Sequence, residues 1–229
     1  LPEDREGWGP GDQERVQTAF FTTTFSVMGH LAKADGRVSP DEIRLAEAVM
    51  AQMSLSDEMR QTAIHLFNEG KASEFPLDEV IEQFRVECHR RHTLIQMFME
   101  IQIQAAFADG QMDPQEEAVL KHICRLLGIP EFTFRLLVQR VRAEAHYAGG
   151  AGAPPPQGPS LEDAYAILNV TQDASDKEVK RAYRRLISQH HPDKLVSKGL
   201  PEEMMKMAAQ KTDEIKKAYE RIKEARGMG

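Results

Sequence analysis

The stretch His190-His191-Pro192-Asp193-Lys194 lies between two segments with helical patterns and decides how the C-terminal part of the chain folds. The upstream segment, 175–189, is rich in Lys and Arg. In the downstream segment, 201–224, mostly apolar residues recur at alternating spacings of four and three, which is typical of a helix packed along one seam. Proline lacks an N–H and clashes with the preceding turn, so it ends the first helix and pushes His191 toward an extended conformation. We therefore predict a helical hairpin whose tip is a rigid loop formed by His191-Pro192-Asp193.

Basic residues line the predicted upstream helix, namely Lys177, Lys180, Arg181, Arg184 and Arg185. Helical spacing places Lys177, Arg181 and Arg184 on one face, with Arg185 at its flank. Such a face is ordinarily a solvated surface. Here it adjoins a polar tip, and the next helix is expected near Pro201, too far away for Asp193 to cap. An exposed, rigid tip without a capping role is better explained by binding, and Lys194 extends the same surface.

Four sequence features in this region together resemble a J-domain: Tyr165-x-x-Leu168, Ala182-Tyr183-Arg184, His191-Pro192-Asp193-Lys194 and Ala218-Tyr219-Glu220. The similarity covers about 160–226, and Asn169 and Thr212 replace the Gly and Phe found in many members. The stretch 195–201 and the Met-rich helix after it resemble the DjlA subgroup of membrane-anchored DnaJ-like proteins.

The resemblance implies a co-chaperone that binds a DnaK-type chaperone and stimulates its ATP hydrolysis through the His-Pro-Asp loop. In that family the basic helix meets an acidic patch of the chaperone. The family also implies a bacterial inner-membrane protein with a single-pass anchor absent from this chain, its soluble region in the cytoplasm, and a role in envelope signalling.

The N-terminal part contains an internal repeat, because residues 34–42 match 108–116 with an offset of 74. Each copy is a helix, an Asp-Gly turn and a second helix. The second helix starts with Ser39 or Asp113 as N-cap, a proline, and Glu42 or Glu116 closing a capping box. We predict about seven helices with a pseudo-twofold relation between the halves. The Ala-Asp-Gly turn and the following Pro-x-Glu resemble the TerB (tellurite-resistance-like) family.

The predicted organisation is an all-α chain in four parts. Residues 1–11 form a flexible lead-in, 12–146 the TerB-like domain, 147–159 a Gly/Pro linker, and 160–229 a small J-domain built on an antiparallel helical hairpin. Because the linker separates a complete J-domain pattern from the N-terminal part, we expect residues 160–229 to fold and act alone.

Composition and spacing argue against several functions. The formal charge of −7 is spread as −9 over the first 159 residues and +2 over the rest, which argues against nucleic-acid binding. Two cysteines, Cys88 and Cys124, cannot build a disulfide framework or a four-cysteine zinc site, and we expect them to be free and buried.

The paired Asp-Gly turns raise the question of a metal site, for which Asp35, Glu42, Asp109 and Glu116 are weak candidates. Aligned with a calcium loop, the first copy would place Leu31 and Lys33 at ligand positions, and the second copy fails in the same way. Capping and turn formation are the preferred explanation, and a site shared between the copies stays open.

No nucleophile–base pair or phosphate-binding Gly loop stands out, so the chain is predicted to be no enzyme and to need no cofactor. The predicted partners are a DnaK-type chaperone and an unidentified protein that binds the N-terminal domain. The membrane is reached only through the absent anchor, and a homodimer is left open. Two alternatives remain: an interaction scaffold, or a metal-responsive sensor module with a secondary J-domain.

Overall fold

The computed structural model describes residues 11–34, 40–107, 111–149 and 160–228, and the regular structure in these ranges is helical, without strands. The N-terminal part contains α1 (Asp12–Ala32), α2 (Pro40–Ala51), α3 (Asp57–Gly70), α4 (Leu77–Glu87), α5 (His92–Ala106), α6 (Pro114–Leu126) and α7 (Glu131–Gly149). The C-terminal part contains α8 (Leu161–Ile167), α9 (Asp176–His190), α10 (Pro192–Ser197), a 3₁₀ turn (Glu202–Met204) and α11 (Met205–Arg226). The predicted all-α class is confirmed.

Helices α1 and α5 form the centre of the N-terminal part. Each is buried on nearly all sides over its second half, and each carries mostly apolar residues there. Their ends lie 74 residues apart in the sequence, as do the starts of α2 and α6, so the repeat corresponds to matching helices. Helix α3 crosses α1 with the backbones in contact: a Cβ added to Gly29 would lie 1.9 Å from the carbonyl oxygen of Phe67.

The predicted helix starts are observed where the structure describes them. Asp113 and Glu116 form the capping box of α6, and Ser175 forms one with Glu178 at the start of α9. The equivalent box of the first copy, with Ser39, lies outside the described residues. Polar side chains therefore satisfy the free N–H groups of both helix ends.

Helix α4 ends at Glu87, and the turn after it contains Arg90 in a left-handed conformation with φ of 62°. One helix boundary differs from the predicted organisation. Helix α7 continues to Gly149, three residues into the segment predicted as a linker. The rest of that segment, 150–159, is not among the described residues. Within the described ranges, no helix combines the length and apolarity needed to cross a membrane.

Helices α8, α9 and α11 pack around their own core, with Val179, Leu186, Ile215, Ala218 and Ile222 among the buried side chains. Arg226 joins the end of α11 to the α8–α9 connection, since its guanidinium donates to the Tyr165 hydroxyl at 2.6 Å and to the Gln172 carbonyl at 2.7 Å. Asn169 has a φ of 52°, a left-handed conformation that Gly adopts most readily and Asn next after it.

One segment of the C-terminal part packs into the hydrophobic core of the N-terminal part. Five buried residues from the C-terminal part belong to the core cluster of the N-terminal part: Leu195, Leu200, Met204, Met207 and Ala208. Hydrogen bonds reinforce the contact, because Gln13 Nε2 donates to the Val196 carbonyl at 3.1 Å and Ser54 N to the Glu203 carbonyl at 3.0 Å. The described residues 160–228 are thus packed against the N-terminal helices, and their folding alone stays a prediction.

Candidate functional site: the His-Pro-Asp tip and the basic helix

The tripeptide His191-Pro192-Asp193 lies at the junction of α9 and α10. His191 has φ −62° and ψ 125°, so its predicted extended conformation is confirmed. The expectation that the next helix begins near Pro201 is wrong, because Pro192 is the first residue of a short helix that ends at Ser197. The fixed φ of proline suits the first turn of a helix, where its missing N–H would have no intrahelical acceptor. The tip is consequently even more rigid than a loop.

The polar side chains of the tip face solvent. His191 is 49% exposed and Asp193 is 83% exposed, and their closest atoms, Nδ1 and Oδ2, lie 3.9 Å apart. Leu195, two residues further along, is completely buried and fastens α10 to the core. The tip therefore combines accessible hydrogen-bonding groups with a fixed backbone, which is the arrangement expected of a binding site.

The predicted basic residues lie along α9 next to the tip. Lys177, Arg181, Arg184 and Arg185 are exposed, whereas Lys180 is half-buried. Lys194 folds back onto the same helix, because its Nζ donates to the Ser188 hydroxyl at 2.7 Å. Ser188 follows Arg184 by one helical turn, so the Lys194 ammonium continues the line formed by Lys177, Arg181 and Arg184. We call this line, from Lys177 to Lys194, the basic stripe.

Within the part of the chain that the structure describes, no ion pair joins a carboxylate to Lys177, Arg181, Arg184 or Arg185. The charges of the basic stripe are therefore directed to solvent. Exposed, unpaired charges of one sign steer and orient an oppositely charged partner. The geometry brings together every residue that the sequence analysis assigned to partner binding.

Behind the tip lies a histidine that the sequence analysis did not single out. His190 is 2% exposed, and its Nδ1 lies 3.0 Å from the Leu186 carbonyl, an acceptor, so this nitrogen donates. Its Nε2 faces Arg140 Nη2 of α7 at 3.4 Å. The Thr212 hydroxyl of α11 lies 3.0 Å from the His190 carbonyl and 2.9 Å from that of Ala208. Thr212, at a position where many J-domains place an aromatic residue, thus ties α11 to the last residue of α9.

Four charged side chains beside His190 form a closed ring that the sequence analysis missed, and we call it the ionic ring. Glu100 of α5 contacts Arg140 at 3.2 Å and Lys211 at 2.9 Å. Glu144 contacts the same two cations at 3.3 and 2.5 Å. Each carboxylate therefore bridges both cations, and Lys211 is the one member that comes from the C-terminal part.

The ionic ring is almost fully enclosed, with side-chain exposures of 2% for Arg140, 6% for Glu100, 13% for Glu144 and 14% for Lys211. Burial opposes ionisation of Glu100, but the adjacent Arg140 and Lys211 outweigh it and hold the pKa of that carboxyl well below its usual value. Burial likewise opposes the charge of Lys211, and Glu100 and Glu144 reverse this effect and raise its pKa. Glu100, Arg140 and Lys211 therefore stay charged at neutral pH.

A signal for this ring was present in the sequence. Glu100 is the one charged residue between Leu94 and Ala106, in an otherwise uncharged and largely apolar helix. A carboxylate in such a helix has to find a cation, because an unpaired buried charge is very costly. Its partners could not be identified in advance, since they lie 40 and 111 residues further along the chain.

The remaining candidates behave as structural residues where they are described. Cys88 and Cys124 are free and buried, as expected, and burial raises the pKa of each thiol to about 12. The Glu116 carboxylate accepts from the Asp113 backbone N–H at 3.0 Å, which is its predicted capping role. Asp35, Asp109 and the Glu42 side chain lie outside the described residues. In the described ranges, no three or more His, Cys, Asp or Glu side chains converge as metal ligands do.

The fold and this site define a class: a J-domain protein whose J-domain is joined to a TerB-like helical domain. A family model described as tellurite resistance protein TerB matches residues 22–139, and the DnaJ domain model matches residues 163–226.

The co-chaperone protein DjlA of Coxiella burnetii is 52% identical over 216 residues, covering 93% of this chain and 80% of that protein. The DjlA proteins of Salmonella typhimurium and Escherichia coli K12 are each 47% identical, covering 96% of this chain and 84% of theirs. The chain belongs to the DjlA family of co-chaperones. No solved structure matches it.

Proposed function

We propose that this chain binds the ATP-bound form of a DnaK-type chaperone and stimulates its ATP hydrolysis through His191-Pro192-Asp193. The observation that carries the proposal is the position of an exposed, rigid tip at the end of an unpaired basic stripe. The family to which the chain belongs supports the choice of partner. The chain itself acts as a regulator of another protein's ATPase.

The two parts of the site have different roles in this proposal. The basic stripe attracts an acidic surface of the chaperone and sets the orientation of the encounter. The tip then contacts a conformation of the chaperone in which hydrolysis is fast. Because a ligand shifts an equilibrium only by its differential affinity for the two states, the tip has to bind that conformation more tightly than the resting one. Exposed His191 and Asp193 side chains offer the groups for such a contact.

Single-turnover hydrolysis of ATP by a DnaK-type chaperone, with and without the chain, tests the proposal. We expect the unmodified chain to accelerate hydrolysis and His191→Gln to abolish the acceleration. The His191 side chain is 49% exposed, so its replacement should change stability by less than about 0.5 kcal/mol. His89→Gln is the matched control, because His89 is also exposed but lies in the N-terminal part, far from the tip in the sequence.

The pair of measurements separates the explanations. Acceleration that survives in a folded His191→Gln protein contradicts the role of the tip. A marked fall in melting temperature means instead that His191 is a structural residue. Loss of acceleration in the His89→Gln control would show that the assay responds to any substitution.

We also propose, on the resemblance to membrane-anchored DnaJ-like proteins, that the protein works at the cytoplasmic face of a bacterial inner membrane and takes part in envelope signalling. In cells that make the natural protein, we expect it to sediment with inner membranes and to resist protease added outside the intact membrane. Recovery in the soluble fraction would contradict this location.

A further inference from the structure

The tripeptide at the tip is held from both sides by the N-terminal part of the chain. On one side, the ring of His190 packs against Arg140 of α7, and its Nε2 lies 3.8 Å from Glu100 of α5. On the other side, Leu195 and the residues that follow α10 belong to the N-terminal core. A J-domain whose own helices alone held the tip in place would not need these contacts. The position of the tip therefore depends on helices outside the J-domain.

The ionic ring connects these helices to the tip through a short series of contacts. Lys211 is the ring member on α11, and the next residue, Thr212, places its hydroxyl 3.0 Å from the His190 carbonyl. That carbonyl belongs to the peptide immediately before His191. A shift of Lys211 relative to Glu100 and Glu144 thus moves the backbone that carries the tip. The distances leave no intervening flexible segment between the ring and the tripeptide.

A ring of this kind has few alternative arrangements. Two carboxylates and two cations balance each other, and every member contacts both groups of opposite charge. Removing one member leaves a buried charge without compensation, which is far more costly than the loss of a surface ion pair. Buried ionic groups often specify one geometry more than they add stability, because other geometries leave charges unpaired.

We propose that Glu100, Arg140 and Glu144 of the TerB-like domain are positioning residues for the His-Pro-Asp tip, acting through Lys211, Thr212 and His190. The TerB-like domain is thereby part of the co-chaperone site. The inference rests on the proposed function, because it concerns how the tip is positioned to act on a chaperone. The contact positions the tip and does not cover it, because His191 and Asp193 remain exposed while the ring is closed.

The test is a titration of the chaperone with full-length variants, from which the maximal stimulated rate and the half-saturating concentration are both obtained. Lys211→Met and Glu100→Gln open the ring from opposite domains. We expect each to lower the maximal rate about tenfold, within the range usual for coupling between two sites. The half-saturating concentration should change less than about twofold, because the basic stripe that drives encounter is untouched.

Two further measurements separate positioning from a general loss of structure. Lys121→Met removes a similar ammonium from an exposed ion pair with Glu117 and should change neither parameter. In Lys211→Met, the amide resonances of residues 190, 191 and 193–195 should shift, while those of the α8–α9–α11 core stay in place. The double variant Glu100→Gln/Lys211→Met should lose no more rate than the worse single variant, because the ring acts as one unit.

The outcomes are distinct. If the unmodified chain fails to stimulate the chaperone, the proposed function is wrong and this inference falls with it. If the unmodified chain stimulates and a folded Lys211→Met or Glu100→Gln reaches the same maximal rate, the inference alone is wrong. Losses that multiply in the double variant, or that appear equally in Lys121→Met, would also overturn it.

Discussion

Replacing Gly199 by alanine tests how tightly the J-domain packs against the N-terminal helices. Gly199 follows α10 and has a φ of 105°, a conformation that residues with a Cβ rarely adopt. An added Cβ would lie 2.5 Å from Cγ1 and 2.9 Å from Cβ of Val16 on α1. Both distances are too short for carbon atoms in contact, so either α1 or the segment after α10 has to move.

The structure allows the cost to be divided into two contributions. Backbone strain at positive φ costs about 1–3 kcal/mol for a residue with a side chain, and forcing an extra methyl group into a packed interface costs about 1–3 kcal/mol more. We expect Gly199→Ala to lower the free energy of unfolding by about 2–6 kcal/mol. Gly128→Ala is the control, since Gly128 has a φ of 70° but no atom within 4 Å of the added Cβ. It should show the strain contribution alone.

Equilibrium denaturation in urea measures these free energies. A double variant, Val16→Ala/Gly199→Ala, removes Cγ1, the closer of the two colliding Val16 atoms. It should be less destabilised than the sum of the single variants by about 1–3 kcal/mol. The reasoning is refuted if Gly199→Ala costs no more than Gly128→Ala. It is also refuted if the two single effects add, because the contact between Val16 and Gly199 would then carry no energy.

Three other predictions follow from the charges and thiols. Arg181→Glu should slow association with the chaperone and weaken the salt dependence of the association rate. The control Arg60→Glu on α3 should do neither. Equal on-rates of Arg181→Glu and the unmodified protein across ionic strength would contradict the docking role of the basic stripe. Burial and the negative charge of Glu144 raise the pKa of Glu214 to about 7, so the stability that this carboxyl contributes when protonated is lost as pH rises through about 7. Relative to the unmodified protein, Glu214→Gln should therefore gain about 1–3 kcal/mol of stability between about pH 5 and pH 8, and a pH-independent difference in denaturant titrations would contradict the shift. Burial raises the pKa of Cys88 and Cys124 to about 12. Neither thiol should therefore react with a thiol reagent at mildly alkaline pH until the protein unfolds. Fast labelling of the native state would show that the core opens locally.

Local features of the fold were predictable because their causes lie within a few residues. The capping box of Asp113 and Glu116 needs only the residues between them, and it is observed as predicted. The left-handed Asn169 and the extended His191 follow in the same way from their own side chain and from the next residue. The buried seam of α11 follows from its periodicity.

The features that sequence analysis did not identify depend on partners far along the chain. Helix α10 was missed because proline was interpreted only as the end of α9, although it is equally suited to begin a helix. No local pattern indicated that Leu200 and Met204 would be buried in the N-terminal core. The ionic ring joins Glu100 to Lys211, and no local pattern specifies which cation a buried carboxylate will meet.

The shared core has a consequence for how the protein is made. Gln13 of α1 and Val196 are 183 residues apart, so contacts that complete the N-terminal core form only after most of the chain has been synthesised. Proteins commonly fold domain by domain as they emerge, and contacts between distant segments slow folding. Until α10 and α11 arrive, α1 and α5 expose apolar surface of the kind that chaperones recognise. During its own synthesis, this co-chaperone should therefore itself need a chaperone.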